Sequence, residues 1–273
     1  MLGKLMKYEF KSVARTLLPA YLAVLVFALL SRFVIQNDSL ADIGDGVLIG
    51  ILMFIYSLAI MALCIITIII VIQRFRKNLM GDEAYLSHTL PVSIDSHIWS
   101  KAIIAFIWSI FSTLIIFISI FILVVNSDVL QSISVFLTEF PAVYNEYIKI
   151  PFPVFILESI LTLSVSGITS ILSFYAALSI GHQFKKHKLL GAMLAYLGIS
   201  LILNILWRFS GSILYDMYDA IFSGIYYSYS YNFEALAAAI NGTFIATCLI
   251  SVIQGAICYF ITRVLLGKRL NLE

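Results

Sequence analysis

The sequence predicts an all-α membrane protein with six transmembrane helices. An amphipathic helix in the membrane interface precedes the first span, and a short cytoplasmic helix separates the second span from the third. Three observations lead there. Of the 273 residues, 62% are hydrophobic and 12% charged, and the mean hydropathy is +1.02, outside the range of soluble domains. Six continuous apolar runs each reach the roughly 20 residues that a hydrocarbon core of about 30 Å asks of a helix. And 14 of the 17 Lys and Arg residues fall in segments that those runs place on one side.

The runs cover about 17–36, 47–72, 101–125, 153–181, 189–207 and 240–266. They are unbroken rather than alternating, so the ten-residue strands of a membrane barrel do not fit. In lipid a helix satisfies its own N–H and C=O groups, and residues 1–273 read as a single transmembrane domain. The first run is too long for a cleaved signal's apolar region and no small-residue cleavage site follows it, so it is read as retained.

Basic residues orient the bundle. Lys4, Lys7, Lys11 and Arg15 precede span one, and Arg74, Arg76, Lys77 and Lys101 flank the connection between spans two and three. Lys185, Lys186 and Lys188 lie between spans four and five, and Arg263, Lys268 and Arg269 follow span six. Only Arg32, Lys149 and Arg208 fall near the other side. Both termini are predicted to be cytoplasmic. The opposite side carries Asp38, Asp42, Asp45, Asp128, Glu139, Glu146, Asp216, Asp219 and Glu234, either as solvated loop acids or as an electronegative mouth suited to cations. A net charge of +2 gives no reason to expect nucleic acid as a partner.

In MLGKLMKYEFKSVARTLLP, Leu2, Leu5, Met6, Phe10, Val13 and Leu17 recur at helical spacing, with Lys4, Lys7, Lys11 and Arg15 largely opposite. This predicts an interfacial basic helix over 1–16. Pro19 disfavours helical geometry at Leu18, which offers a turn into the bilayer.

KNLMGDEAYLSHTLPVS, Lys77 to Ser93, is the one substantial cytoplasmic loop. Asp82 and Glu83 suit the positive end of a helix that Gly81 can cap or bend, and Pro91 stops it. The predicted helix lies within 78–92 and has about two turns, too short to be stable alone in water. Its apolar side, with Tyr85, Leu86, Thr89 and Leu90, must dock on something, and Asp82, Glu83 and His88 give it a wet rim. On the other side, Val129, Ile133, Phe136 and Phe140 outline a second amphipathic helix. Tyr215, Tyr218, Tyr226, Tyr227, Tyr229 and Tyr231 form a headgroup-level belt or the lining of an outer gate.

No catalytic constellation is present. Gly267-Lys268 lacks the rest of a phosphate-binding loop, and Gly44 and Gly46 have no strand before them. His88, His97, His182 and His187 do not have metal-ligand spacing, and Cys64, Cys248 and Cys258 lie inside apolar runs. The chain is expected to bind no metal or cofactor and to catalyse nothing itself. Any nucleotide that drives it sits on another chain.

Within the spans, Glu158 is the exceptional ionisable residue. A carboxylate there costs several kcal/mol unless it is neutralised or paired, and Arg32 and Arg208 lie at comparable depth as candidate partners. Glu158 is then an interhelix pin, or a proton or ion site. Ser159, Thr162, Ser166, Ser170 and Ser173 recur along the same span as a stripe that joins helices or lines a translocation path. Gly191, Ala195 and Gly198 form a small-residue ridge in span five.

RFRKNLMGDEAYLSHTLPVS, Arg74 to Ser93, resembles a segment of small bacterial type-2 ABC exporter permeases in which G-D-E-x-Y-L and T-L-P-V-S recur. The six-span plan resembles that family over the whole chain, the local similarity over about twenty residues. The resemblance implies that the short helix is a coupling helix seated in a groove of a cytoplasmic ABC ATPase, with Asp82, Glu83, Tyr85, Leu86, His88 and Leu90 at the contact. It also implies two ATPase subunits that bind ATP and Mg, a second permease copy or close relative, and a place in the bacterial cytoplasmic membrane among its lipids. Ala84 stands where many relatives have glycine, which stiffens the start of the helix. The expected function is ATP-driven export of an amphipathic substrate, an antimicrobial peptide or a lipid-like molecule. A nucleotide-independent ion or solute carrier using Glu158, or a non-transporting anchor for a cytoplasmic partner, are the rival readings.

Overall fold

The computed structural model describes residues 2–37, 46–80, 93–148, 151–184, 187–205, 208 and 233–268. Among these residues the chain is helical and contains no strand. The helices are α1 (Leu2–Gln36), α2 (Val47–Met80), α3 (Ile94–Val124), α4 (Ser127–Ile148), α5 (Phe152–Gly181), α6 (Lys188–Ile205) and α7 (Phe233–Lys268). All but α4 are long and apolar enough to cross a bilayer, which suggests a multi-pass membrane protein. The chain divides into two compact units, Met1–Gln131 and Ser132–Asn271.

The first unit is built on α1, α2 and α3. Val13, Leu17, Tyr21, Val24 and Ala28 form the buried stripe of α1, at the three- and four-residue steps that put side chains on one helical face. They cluster with Tyr56, Leu63 and Ile70 of α2 and Ile104, Trp108 and Leu123 of α3. The opposite faces remain apolar: Phe54 is 64% exposed and Phe117 65%. Such residues are unfavourable in water and comfortable in lipid, where association rests on close fit and on hydrogen bonds between helices.

One expectation changes here. α1 is a single helix of 35 residues that runs through Pro19, with no break at Leu18. Pro19 is exposed, so its ring stays clear of the helix interface. The buried stripe continues on both sides of it, and this packing holds the segment helical although Pro19 has no N–H to donate to the Arg15 carbonyl. The predicted N-terminal amphipathic segment is helical from Leu2, and Met6 and Phe10 of its apolar side meet protein: Met6 joins the core cluster, and the Phe10 ring lies 4.7 Å from that of Trp108.

The second unit contains α5, α6 and α7. α5 and α7 run parallel, because Phe155 meets Phe244, Thr169 meets Ser251 and Ser173 meets Cys258 in the same order along both. Two glycines set the turn from α5 to α6. A Cβ on Gly181 would lie 2.3 Å from the Ala192 backbone nitrogen, and one on Gly191 would lie 2.4 Å from the Phe184 ring. Farther along α6, Phe174 of α5 stacks on Tyr196 with centroids 4.7 Å apart. Of the predicted ridge, Gly191 makes a close approach, whereas Gly198 faces open space.

Candidate functional site

The predicted docking residues Asp82, Glu83, Tyr85, Leu86, His88 and Leu90 lie outside the described residues. The two helices that lead into and out of their segment are firmly placed. α2 reaches Met80 with Phe75, Leu79 and Met80 buried, and α3 begins with His97, Ile98, Ser100 and Lys101 buried. Ser93 caps α3 by accepting from the Ser96 N–H at 3.3 Å, satisfying one of the free donors at the helix start. Beside these stems the Glu9 carboxylate of α1 accepts from Asn78 Nδ2 of α2 at 3.0 Å and from the Lys101 ammonium of α3. Both charges are largely buried and paired, so one carboxylate oxygen ties three helices where the Met80–Ser93 connection leaves them.

Farther into the same unit a hydroxyl chain links the helices. Tyr21 Oη and Ser112 Oγ are 2.8 Å apart, and Thr67 Oγ1 lies 3.0 Å from Ser112 Oγ and 2.8 Å from the Leu63 carbonyl. Each hydroxyl has one proton. Thr67 donates to Leu63, so Ser112 donates to Thr67, and the Tyr21 proton is shared between Ser112 and the Trp108 carbonyl 3.3 Å away. Tyr56 and Ser119 make a second cross-helix pair at 2.8 Å. Arg32 donates to the Leu123 carbonyl at 3.1 Å, and the Gln36 amide oxygen can accept from its Nη2 and Nε at 2.7 and 3.0 Å.

In the second unit the predicted stripe separates into residues that reach another helix and residues that do not. Ser159, Ser166 and Ser170 donate to the carbonyls of Phe155, Thr162 and Ser166 in their own helix, and Thr162 is buried. Ser173 also accepts from Gln254 Nε2 at 3.2 Å and lies 3.5 Å from Cys258 Sγ. Thr169, outside the predicted set, donates to the Ser251 carbonyl at 2.8 Å. The sequence signal was there: Thr162, Ser166, Thr169 and Ser173 follow a four-three-four spacing, whereas Ser170 lies off that line. Gly255 makes room for the contact, since a Cβ there would come within 2.8 Å of Thr169 Oγ1.

Glu158 is half-buried, and its Oε2 is enclosed without a hydrogen-bond partner. Arg208 is exposed. Two more enclosed oxygens of this unit lack a partner, Tyr144 Oη and Asn241 Oδ1. Tyr144, 5% exposed, comes from α4, and its ring lies 5.1 Å from that of Phe155. Asn145, next to it, accepts from the Phe152 N–H at 2.7 Å and so locks α4 onto the start of α5. Burial, and then the Glu158 carboxylate, push the Tyr144 phenol above its ordinary value. Rings pack around Tyr144: its centroid lies 5.6 Å from that of Phe152 and 6.0 Å from that of Phe140, and Phe155 in turn meets Phe244 at 5.6 Å. Tyr144 and Asn241 carried no signal in sequence, because nothing in the sequence marks their oxygens as enclosed.

Among the described residues no group of three or more His, Cys, Asp or Glu side chains could hold a metal ion. No protein-family model matches this chain, and none of the curated proteins or solved structures compared with it matches either.

Proposed function

We propose that this chain is the membrane-spanning, non-catalytic permease subunit of an ATP-driven exporter. Its cytoplasmic segment 78–92 docks on a separate ABC ATPase, and the chain forms part of the path for an amphipathic substrate, a peptide or a lipid-like molecule. The observation that carries the reading is the Arg74–Ser93 segment. It pairs a G-D-E-A-Y-L and T-L-P-V-S sequence with two anchored stems, between two helices long enough to span the bilayer. A lever needs stiff attachment. The Glu9–Asn78–Lys101 contact and the buried Phe75, Leu79 and Ile98 supply it, so that force on the segment reaches α1, α2 and α3 together. The distribution of basic residues supports a cytoplasmic position for this segment and both termini. Two ATPases with ATP and Mg, and a second permease copy or relative, complete the assembly, in a bacterial cytoplasmic membrane.

The test is co-purification with the ATPase encoded beside the gene, together with ATP turnover in liposomes, for the natural chain and for Tyr85→Ala/Leu86→Ala. A complex that the double substitution releases or uncouples supports the reading. A well-folded natural chain that retains no ATPase overturns it. The unpartnered Glu158 oxygen favours a second reading, a nucleotide-independent carrier of ions or solutes. That reading requires transport without any ATPase and its loss in Glu158→Gln.

A further inference from the structure

α4 does not qualify as a span, yet it is tied into two helices that do. Residues 125–126 join it to α3 and residues 149–151 join it to α5. Its 22 residues measure about 33 Å at the helical rise. The chain from Ile148 to Phe152 reaches at most about 14 Å, and α5 is apolar from its first residues, Phe152, Val154 and Phe155. The end of α4 therefore stays close to the edge of the hydrocarbon, and the helix lies along the membrane surface instead of rising from it. Ile133, Phe136, Leu137, Phe140 and Tyr144 recur at three- and four-residue steps and share one face. α5 shows which way that face points. Tyr144 rests on Phe152 at 5.6 Å and on Phe155, one turn farther into the span, at 5.1 Å, and Phe140 meets Phe152 at 5.6 Å. The face is thus turned toward the bilayer interior. Phe136 stacks on Phe140 with centroids 4.7 Å apart and carries the row of rings onward. There the face is open: Phe136 is 56% exposed and Leu137 65%.

We propose that α4 seats Ile133, Phe136, Leu137 and Phe140 among the acyl chains just below the headgroups, and that it selects a zwitterionic lipid surface over an anionic one. Lipid is the occupant because the surface is continuous. Phe121 and Val124 at the end of α3 and Val154 and Leu157 at the start of α5 are exposed and apolar, so the open face of α4 extends the apolar surface of the spans it joins. Its charge sets the choice of lipid. A helix held at a membrane surface commonly carries Lys and Arg, whose attraction to anionic lipid adds to what apolar burial supplies. α4 has neither between Ser127 and Ile148, while its Asp128 and Glu139 are exposed. Apolar insertion alone holds it, and anionic headgroups repel its polar side. This seating rests on α3 and α5 crossing the bilayer and does not depend on what drives the chain, so its failure would leave the permease reading standing.

The experiment places one reporter on each side of α4 in the full chain, reconstituted in dioleoylphosphatidylcholine vesicles. Leu137→Trp reports from the apolar face and Thr138→Trp from the polar one, each read as emission added to that of the 3 natural tryptophans. Lipid brominated near the glycerol end of its acyl chains and aqueous iodide are the two quenchers. The Leu137→Trp emission is expected to be quenched severalfold more by bromolipid than by iodide, and the Thr138→Trp emission the reverse. Adding Ile133→Gln and Phe136→Gln to Leu137→Trp should cut bromolipid quenching severalfold and open the reporter to iodide. Replacing part of the lipid with dioleoylphosphatidylglycerol should lower the bromolipid quenching of Leu137→Trp, and unchanged or stronger quenching overturns the selectivity. Equal iodide quenching of both reporters would put α4 in water. A Leu137→Trp reporter reached by neither quencher would put the face against protein, a second copy or another chain. Either result overturns the proposal.

Discussion

Lys101 of α3 donates to the Glu9 carboxylate of α1, with both side chains buried, and the same oxygen accepts from Asn78 of α2. Neither charge could remain there alone. Taking an ion out of water costs several kcal/mol, and only the opposite charge with well-placed hydrogen bonds offsets it.

Glu9→Gln or Lys101→Met should therefore each destabilise the chain by about 3–5 kcal/mol, because each strands the other charge. The double substitution should cost less than either single one. Unfolding in detergent, followed by loss of helical circular dichroism, measures all three. A double variant weaker than both singles would show that the pair does more than neutralise its own burial.

Within the apolar core of the first unit, Tyr56 and Ser119 share a hydrogen bond of 2.8 Å between α2 and α3. A cycle of Tyr56→Phe, Ser119→Ala and the double variant should return a coupling of about 0.6 kcal/mol and not above about 1.7 kcal/mol. Ser112→Ala should cost more than Ser119→Ala, since Ser112 bonds to both Tyr21 and Thr67 and so joins three helices.

Much of this was legible in sequence because lipid simplifies the code. Where water is absent, twenty apolar residues can only be a helix, and the six predicted runs correspond to the six long apolar helices. The reading of Pro19 failed for a local reason: a rule about the residue before proline knows nothing of Val13, Leu17, Tyr21 and Val24 packing on both sides of it. Glu9 and Lys101 were opaque as well. In sequence they are two more charges near a basic end, and only the crossing of α1 with α3 makes them a pair. The hydroxyl stripe was half legible. Its period showed a special face on α5, but Gly255 on α7 decides that Thr169 and Ser173, and not Ser170, lie on the seam.

The glycines make a prediction of contrasts. Gly181 abuts backbone atoms of Ala192, which cannot swing aside, whereas nothing lies within 4 Å of a Cβ on Gly198. Gly181→Ala should cost about 1–3 kcal/mol or more through overpacking, and Gly198→Ala should be neutral or slightly stabilising through better helix propensity. Gly255→Ala falls between them, because Thr169 Oγ1 can rotate only by giving up its bond to the Ser251 carbonyl. Thermal unfolding of the three variants gives the order directly, and a Gly181→Ala protein as stable as Gly198→Ala would contradict the close α5–α6 approach.

Tyr144 supplies a prediction in pH. Its phenol is raised above 10.0, first by burial and then by the Glu158 carboxylate. A raised phenol means that the folded state prefers the neutral form. The stability this gives is fully present below the unfolded value near pH 10, and is lost as the pH climbs through the higher folded value. Among the 15 tyrosines, the contribution of Tyr144 is isolated by subtracting the tyrosinate absorbance of Tyr144→Phe from that of the natural chain. The difference should titrate above the ordinary tyrosine range. In Glu158→Gln it should move down only part of the way, because the larger cause, burial, remains. A difference that titrates at the ordinary value in the natural chain would place the Tyr144 hydroxyl in contact with water and contradict its burial.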